Sequence, residues 1–441
     1  MRTRSSRIVL LVALVSAMGL GSLPATGAVP AATSVRSAVG DPPPDNYVPQ
    51  MGLLFNHPYR SDRGQIVRHV QRMINSTEAG HSIKIAAFGI NHLGAVNSLI
   101  AAKNRGVSVK VIGDAHLVNP RHHLYSPLFV RLRRALGSNK SASSFAMVCS
   151  RSCRGYGGNF HQKFFMFDQV SGVPWIVTQA SGNLTQMAIS GQWNHAKTVS
   201  DETTYEQYSA LFDELVLDRP SPTLPMRFTN SVLGDAVVFP FPGMGISTDP
   251  VGNALQRVQC KVSQPDGSFV RTKIRIGMYA WFGRRGERLG RQVRGLWNDG
   301  CDVAIELAVT SKTMKYILRS RAGRGAIPAK LVATYDRTGA IANYDHSKYI
   351  TIQGGYDGDS NASIVIAGTC NFTDLGTFSD EFTSIYSSAD DVVAFNDDFD
   401  QVWRERQARA WRQTYAPNAF LRLSSVDPKL GSGKWKSADQ D

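Results

Sequence analysis

The chain has 441 residues, 42% of them hydrophobic, which is enough to fill two ordinary domain cores and excludes an intrinsically disordered protein. Its formal charge of +14 favours anionic partners, phospholipid surfaces or nucleic acid, without choosing between them.

Arg2, Arg4 and Arg7 precede the apolar run Ile8 to Leu20, and the small residues Thr26-Gly27-Ala28 follow. This pattern predicts a signal peptide over residues 1–28, and hence a secreted protein. The apolar run falls short of the roughly 20 residues that a membrane span needs. Removing residues 1–28 takes away three arginines and no acid, so the charge falls to +11. Residues 29–49, rich in Ala, Ser and Pro, read as an extended leader.

The first half then runs as strand, helix, strand. Met51 to Phe55 reads as a strand, Arg63 to Asn75 as a helix and Ser82 to Phe88 as a strand. Leu93 to Ala102 is a helix stopped by Asn104-Arg105-Gly106, before a strand from Val107 to Ile112. The same order returns later. Ala236 to Phe239 answers the first strand, Ala254 to Val262 the helix and Lys273 to Tyr279 the next strand. Arg288 to Trp297 repeats the second helix, and Cys301 to Leu307 the strand after it. Two copies of one α/β unit are expected: residues 50–218 and 231–426, joined by a proline-rich linker at 219–230 and followed by a disordered tail at 427–441. The second copy closes with a strand from Glu381 to Tyr386 and a helix from Asp391 to Arg406.

Five cysteines in an exported chain predict two bridges and one leftover thiol. The pairing expected is Cys149 with Cys153 and Cys260 with Cys301, leaving Cys370. The second bridge would tie a helix to the strand after it. A zinc site is disfavoured, because no Cys pair is matched by a second pair at ligand spacing.

Chemistry concentrates late in each copy. In the first, Asn159-Phe160-His161-Gln162-Lys163 opens an apolar strand that ends at Asp168; in the second, Tyr344-Asp345-His346-Ser347-Lys348 opens one that ends at Gln353. Alternation along a strand places His and Lys of each pair on one face and Asp168 or Gln353 on the other. Each pair leads through a second strand to a small-residue turn ending in Asn: Ala180-Ser181-Gly182-Asn183 and Gly368-Thr369-Cys370-Asn371. The spacing from His to Asn is 22 residues in the first copy and 25 in the second. A bare His-x-Lys pair is a weak signal, and His195-Ala196-Lys197 lacks the strand and turn that follow the other two.

The duplicated HxKxxxxD pattern with GSxN-like turns resembles the phospholipase D superfamily, over about Met51 to Arg406. The resemblance implies two similar α/β domains related by pseudo-twofold symmetry, with mixed central sheets flanked by helices and an active site at the domain interface. It also implies His161 as nucleophile on a phosphodiester phosphorus and His346 as general acid for the leaving alcohol, with the roles open to exchange. Lys163, Lys348, Asn183 and Asn371 would hold the phosphoryl oxygens, with no metal or other cofactor needed. Those residue types suit the task independently, since phosphodiester cleavage concentrates negative charge on oxygens that cations and amides stabilise.

The chain departs from that pattern at two places. Gln353 stands where the second motif should carry Asp, so Asp168 and Gln353 are expected as supporting hydrogen-bonding residues and activity is expected to be weakened. Glu381 matches a carboxylate that the family places after the Asn turn to orient a histidine, whereas the first copy offers Asn194 and His195. The activity expected is hydrolysis of phospholipid headgroups at a membrane surface by a monomer without a protein partner. A nuclease of the same superfamily, or a non-catalytic module binding anionic surfaces, remain the alternatives.

Overall fold

The computed structural model describes residues 46–406 and 408–410, apart from 242–247, 264–265 and 336–340. The expected signal peptide, most of the leader and the tail at 427–441 lie outside the described residues.

The first half contains strands β1 (Gly52–Asn56), β2 (Ser82–Ala87), β3 (Ser108–Asp114), β4 (Phe145–Cys149), β5 (Lys163–Val170), β6 (Val173–Ala180) and β7 (Gln192–Ser200). Its helices are α1 (Gln65–Ser76), α2 (Leu93–Asn104), α3 (Pro127–Leu136), α4 (Gln186–Ser190) and α5 (Glu202–Leu217). The second half contains β8 (Met226–Phe228), β9 (Asp235–Val238), β10 (Val258–Gln259), β11 (Lys261–Ser263), β12 (Phe269–Arg271) and β13 (Lys273–Trp281). It continues with β14 (Asp302–Thr310), β15 (Ala329–Tyr335), β16 (Ile341–Asp345), β17 (Lys348–Tyr356), β18 (Asp359–Gly368), β19 (Phe382–Ser387) and β20 (Ala408–Ala410). Its helices are α6 (Pro250–Gln256), α7 (Gly283–Asp299), α8 (Lys312–Arg319) and α9 (Ala389–Arg404).

Strand pairing exposes the duplication. In the first half the order is β4-β3-β2-β5-β6-β7-β1, with β2, β3 and β4 parallel and the other neighbours antiparallel. In the second it is β15-β14-β13-β17-β18-β19-β9, with the same parallel and antiparallel sequence. β16 pairs with β15 on one side and, in parallel, with β7 of the other half, so the two halves meet strand to strand.

Each half buries both faces of its sheet. Along β5, Phe165 and Phe167 join a core with α1, α2 and α3, while Phe164 and Met166 join a second core with Tyr208, Phe212 and Leu215 of α5. The period of two explains how one strand serves two helical layers. In the second half, Ile350 and Ile352 of β17 face α7 and α8, and Tyr349 faces Phe395 and Phe399 of α9.

Two expectations need correction. The helix expected over 254–262 spans Pro250–Gln256 instead, because Asp249 caps it, accepting from the Val251 N–H, and Pro250 occupies its first turn. Residues beyond it are drawn into sheet pairing: β10 pairs with the end of β17, and β11 forms a hairpin with β12. The second correction concerns the 219–230 stretch, which contains a strand, β8, that extends the second sheet by pairing with β9. Both expected disulfides are formed, and Cys370 is free and buried. The Cys260–Cys301 bridge joins the link between two short strands to the turn before β14. No helix among the described residues is long and apolar enough to cross a membrane.

Candidate active site

His161 and His346 lie just ahead of β5 and β17, where each chain segment crosses into the opposite half. The His161 N–H donates to the Asp380 carbonyl at 3.0 Å, and the Asp380 N–H donates to the Asn159 carbonyl at 2.9 Å. On the other side the His346 N–H donates to the Trp193 carbonyl at 2.9 Å. Both imidazoles and both lysines, Lys163 and Lys348, are buried.

The asparagine turns are built alike. Asn183 Oδ1 accepts from the Gly89 N–H at 3.0 Å, and Asn371 Oδ1 accepts from the Ala280 N–H at 3.2 Å. In each case the turn grips the backbone at the end of the strand that neighbours the His-Lys strand: just beyond β2 in the first half and within the last two residues of β13 in the second. With its oxygen committed, the Asn371 amide turns Nδ2 to a buried position with no hydrogen-bond partner among the described residues.

The residues that orient the imidazoles come from opposite halves and differ in charge. His161 Nδ1 lies 2.9 Å from both Glu381 carboxylate oxygens. His346 Nδ1 lies 2.9 Å from Asn194 Oδ1. Asn194 is fixed in turn, since its oxygen accepts from the Ser181 hydroxyl at 2.9 Å and its Nδ2 donates to Gln192 Oε1 at 3.1 Å. Each imidazole therefore carries its proton on Nδ1 and presents Nε2 as a lone pair. Among the described residues His161 Nε2 is buried without a hydrogen-bond partner, whereas His346 Nε2 lies 2.7 Å from Lys348 Nζ.

Burial pushes both imidazoles well below their ordinary value, and the two lysines push further in the same direction. The resting site thus holds neutral imidazoles beside ammonium groups. Aromatic walls repeat the symmetry: Phe88 packs at 5.0 Å from the His161 ring and Tyr279 at 4.9 Å from the His346 ring.

The remaining predicted residues lie elsewhere. Asp168, half-buried at the far end of β5, accepts from the Ser82 N–H at 2.8 Å and so joins strand ends. Gln353 is exposed, opposite Lys273 on β13. Seven residues of strand, roughly 23 Å, separate it from His346. The Asp-to-Gln departure therefore sits outside the network around the imidazoles. His195 is buried against Tyr349 and Phe395, with its imidazole pushed down to about 3 by burial and then by Lys348. Lys197 is paired with Asp391 at 2.7 Å, which removes this His-Lys pair from the site.

Sequence reasoning missed two acids that build the site from behind. Asp114 accepts from the Phe160 N–H at 3.0 Å and from His116 Nδ1 at 2.8 Å, and the His116 ring packs 4.4 Å from Phe88. Asp380 adjoins Glu381 and is wholly buried. Its only local signal was that position. Among the described residues, Cys149, Cys153 and Asp218 are grouped closely enough for one metal ion, but the two sulfurs are bonded to each other.

Two α/β repeats meet along a strand-paired seam, and each supplies a His, a Lys and an Asn. A family model described as cardiolipin synthase, PLD-like domain, matches residues 70–216, within the first repeat. Among solved structures, a polyphosphate kinase from Porphyromonas gingivalis is 12% identical with a TM-score of 0.52, over 86% of this chain and 56% of that one. The chain thus spans just over half the length of that kinase. A phosphatidylserine synthase from Haemophilus influenzae Rd KW20 is 11% identical with a TM-score of 0.52, over 86% of this chain and 96% of that one. At these identities the likeness is one of fold. No curated protein sequence matches.

Proposed function

We propose that this chain is a phosphodiesterase that hydrolyses the headgroup ester of phospholipids, through a covalent intermediate on His161. The observation that carries the reading is the unpartnered, buried Nε2 of His161 backed at Nδ1 by the Glu381 carboxylate. A lone pair so placed attacks phosphorus as the bond from phosphorus to the leaving alcohol breaks. Phosphorylation at Nε2 leaves a cationic ring, and Glu381 neutralises it where the Asn194 amide could not. This contrast supports His161 as the nucleophile.

His346 then serves as the acid. It rests neutral, with Lys348 Nζ against Nε2. Arrival of a phosphodiester anion favours its protonated form, and that proton passes to the leaving oxygen. In the second half-reaction His346 takes a proton from water, the water oxygen bonds to phosphorus and the phosphorus–nitrogen bond breaks. Lys163, Lys348, Asn183 and Asn371 would hold the non-bridging oxygens, with Asn371 Nδ2 supplying a donor already desolvated.

The lipid reading is supported by the family description, which names cardiolipin synthase. A secreted protein acting as a monomer at a membrane surface fits it. The test is release of choline or ethanolamine from vesicles by the wild type and by His161→Ala, with trapping of acid-labile phosphate on His161. Undiminished release by the variant removes the mechanism. The formal charge of +14 favours a second reading, cleavage of nucleic acid. Degradation of plasmid DNA without lipid turnover would select it.

A further inference from the structure

The tight loop closed by Cys149–Cys153 belongs to the first half, yet it delivers its donors to the second. The Cys153 N–H donates to Asp380 Oδ2, the Arg154 N–H reaches Asp380 Oδ1 at 3.4 Å, and the Ser152 hydroxyl also bonds this carboxylate. Arg154 itself is wholly buried, paired with Glu214 at 2.7 Å. Asp380 and Glu381 are successive residues entering β19, so their side chains leave the backbone on opposite sides. One carboxylate faces the disulfide loop and the other faces His161.

The backbone around them is gripped equally firmly. Asp380 exchanges bonds with Asn159 and His161, and the Glu381 carbonyl accepts from Gln162 Nε2 at 3.0 Å and the Phe239 N–H at 2.9 Å. Gly158 lies so close to Phe378 that an added Cβ would come within 2.4 Å of the Phe378 carbonyl oxygen. At the matching place in the other half stand Trp193 and Asn194, and neither described disulfide adjoins them.

We propose that Asp380 is a positioning residue for the nucleophile: its carboxylate, held by the Cys149–Cys153 loop, fixes the backbone that presents Glu381 to His161. The proposal rests on the reading of His161 as the reacting residue. Burial pushes the Asp380 carboxyl up to about 7, against the loop donors and Arg154, so these donors are what favour its charged form. The geometry also gives the loop a purpose beyond closing a short turn. It carries hydrogen-bond donors across the seam to the residue next to Glu381, the carboxylate partner of His161.

The test uses the full chain with Asp380→Asn, Cys149→Ser/Cys153→Ser and all three changes combined. The first readout is the Nδ1–H proton resonance of His161, identified by its absence in His161→Asn. The second is kcat and KM for bis(p-nitrophenyl) phosphate. Either change is expected to broaden or remove the resonance. Each should lower kcat about tenfold to a hundredfold, with KM changed less than about threefold, the size that a misplaced reacting group produces. The combination should be no worse than Asp380→Asn alone, because both changes break one link. Folded variants that keep the wild-type resonance, or losses that multiply in the combination, would overturn the proposal. If Asp380→Asn does not fold, Ser152→Ala and the cysteine pair carry the same comparison. The resonance does not depend on turnover, so an inactive protein would count against the phosphodiesterase reading while still deciding this one.

Discussion

His161 and Glu381 stand 220 residues apart in sequence and in opposite halves of the chain, yet Nδ1 of the imidazole is 2.9 Å from each carboxylate oxygen. Its counterpart across the seam, His346 with Asn194, keeps the distance and loses the charge. Two similar histidines are thereby made chemically unlike.

Replacing Glu381 with Gln tests that inequality directly. The amide can still accept from Nδ1–H but cannot neutralise a phosphorylated ring, so kcat should fall by about 10²- to 10⁴-fold with KM nearly unchanged. Rapid-quench measurement of the phosphohistidine should show slower formation. Asn194→Asp makes the opposite change. His346 would then hold its proton more tightly, moving the alkaline limb of the kcat profile upward by about 1 pH unit. An unmoved limb would remove His346 from the acid role.

Asn371→Leu separates binding of phosphoryl oxygens from folding. The change removes a buried donor with no partner, together with one bond to the Ala280 N–H. Stability should change by no more than about 1 to 2 kcal/mol in chemical denaturation. Turnover, by contrast, should fall about 10²-fold or more, as for loss of one oxyanion donor. Equal losses in both measurements would make Asn371 a packing residue.

Asp345 precedes His346, and burial, opposed by the Ser347 hydrogen bonds, pushes its carboxyl up to about 6. In the window between the ordinary carboxylate value of 3.8 and about 6, the folded state binds more protons than the unfolded one. It therefore costs nothing below that window, and the folded state loses stability as pH rises through it. Asp345→Asn keeps an acceptor for the Ser347 N–H and should raise stability above pH 6 by up to about 3 kcal/mol, and by nothing near pH 3. Urea titrations at several pH values would check this. A gain that is independent of pH would refute it.

Cys370 sits beside Asn371 and contacts Arg285 Nη1 at 3.2 Å. Burial pushes its thiol up to about 12, despite the pull of Arg285. The native protein at pH 8 should leave this thiol unreacted with a disulfide reagent and keep full activity during the treatment. One thiol per chain should appear on unfolding. Rapid native labelling would contradict the burial.

The His-x-Lys pairs and the asparagine turns could be read from sequence because duplication repeats them, whereas Glu381 came from the resemblance and the disulfides from the cysteine count. Other features depend on contacts between distant segments, and no local pattern carries those. The parity of β5 showed that Asp168 points away from His161, but not that it joins Ser82. The helix expected to run to Val262 was misjudged because pairing with β17 captured Val258 and Gln259 as strand. Asp380 and Asp114 were overlooked for a related reason: the donors they accept come from segments 227 and 46 residues away. Arg285, too, is buried against a partner far off in sequence, Asp249, at 2.9 Å.

The exchange of backbone bonds at His161 and His346 carries an evolutionary consequence. Neither repeat contains the group that aims its own imidazole, so a lone copy would need a second copy to complete it. Genetic fusion of such a pair makes the partner permanent and frees the two sides to diverge. One then keeps an acid where the other settles for an amide.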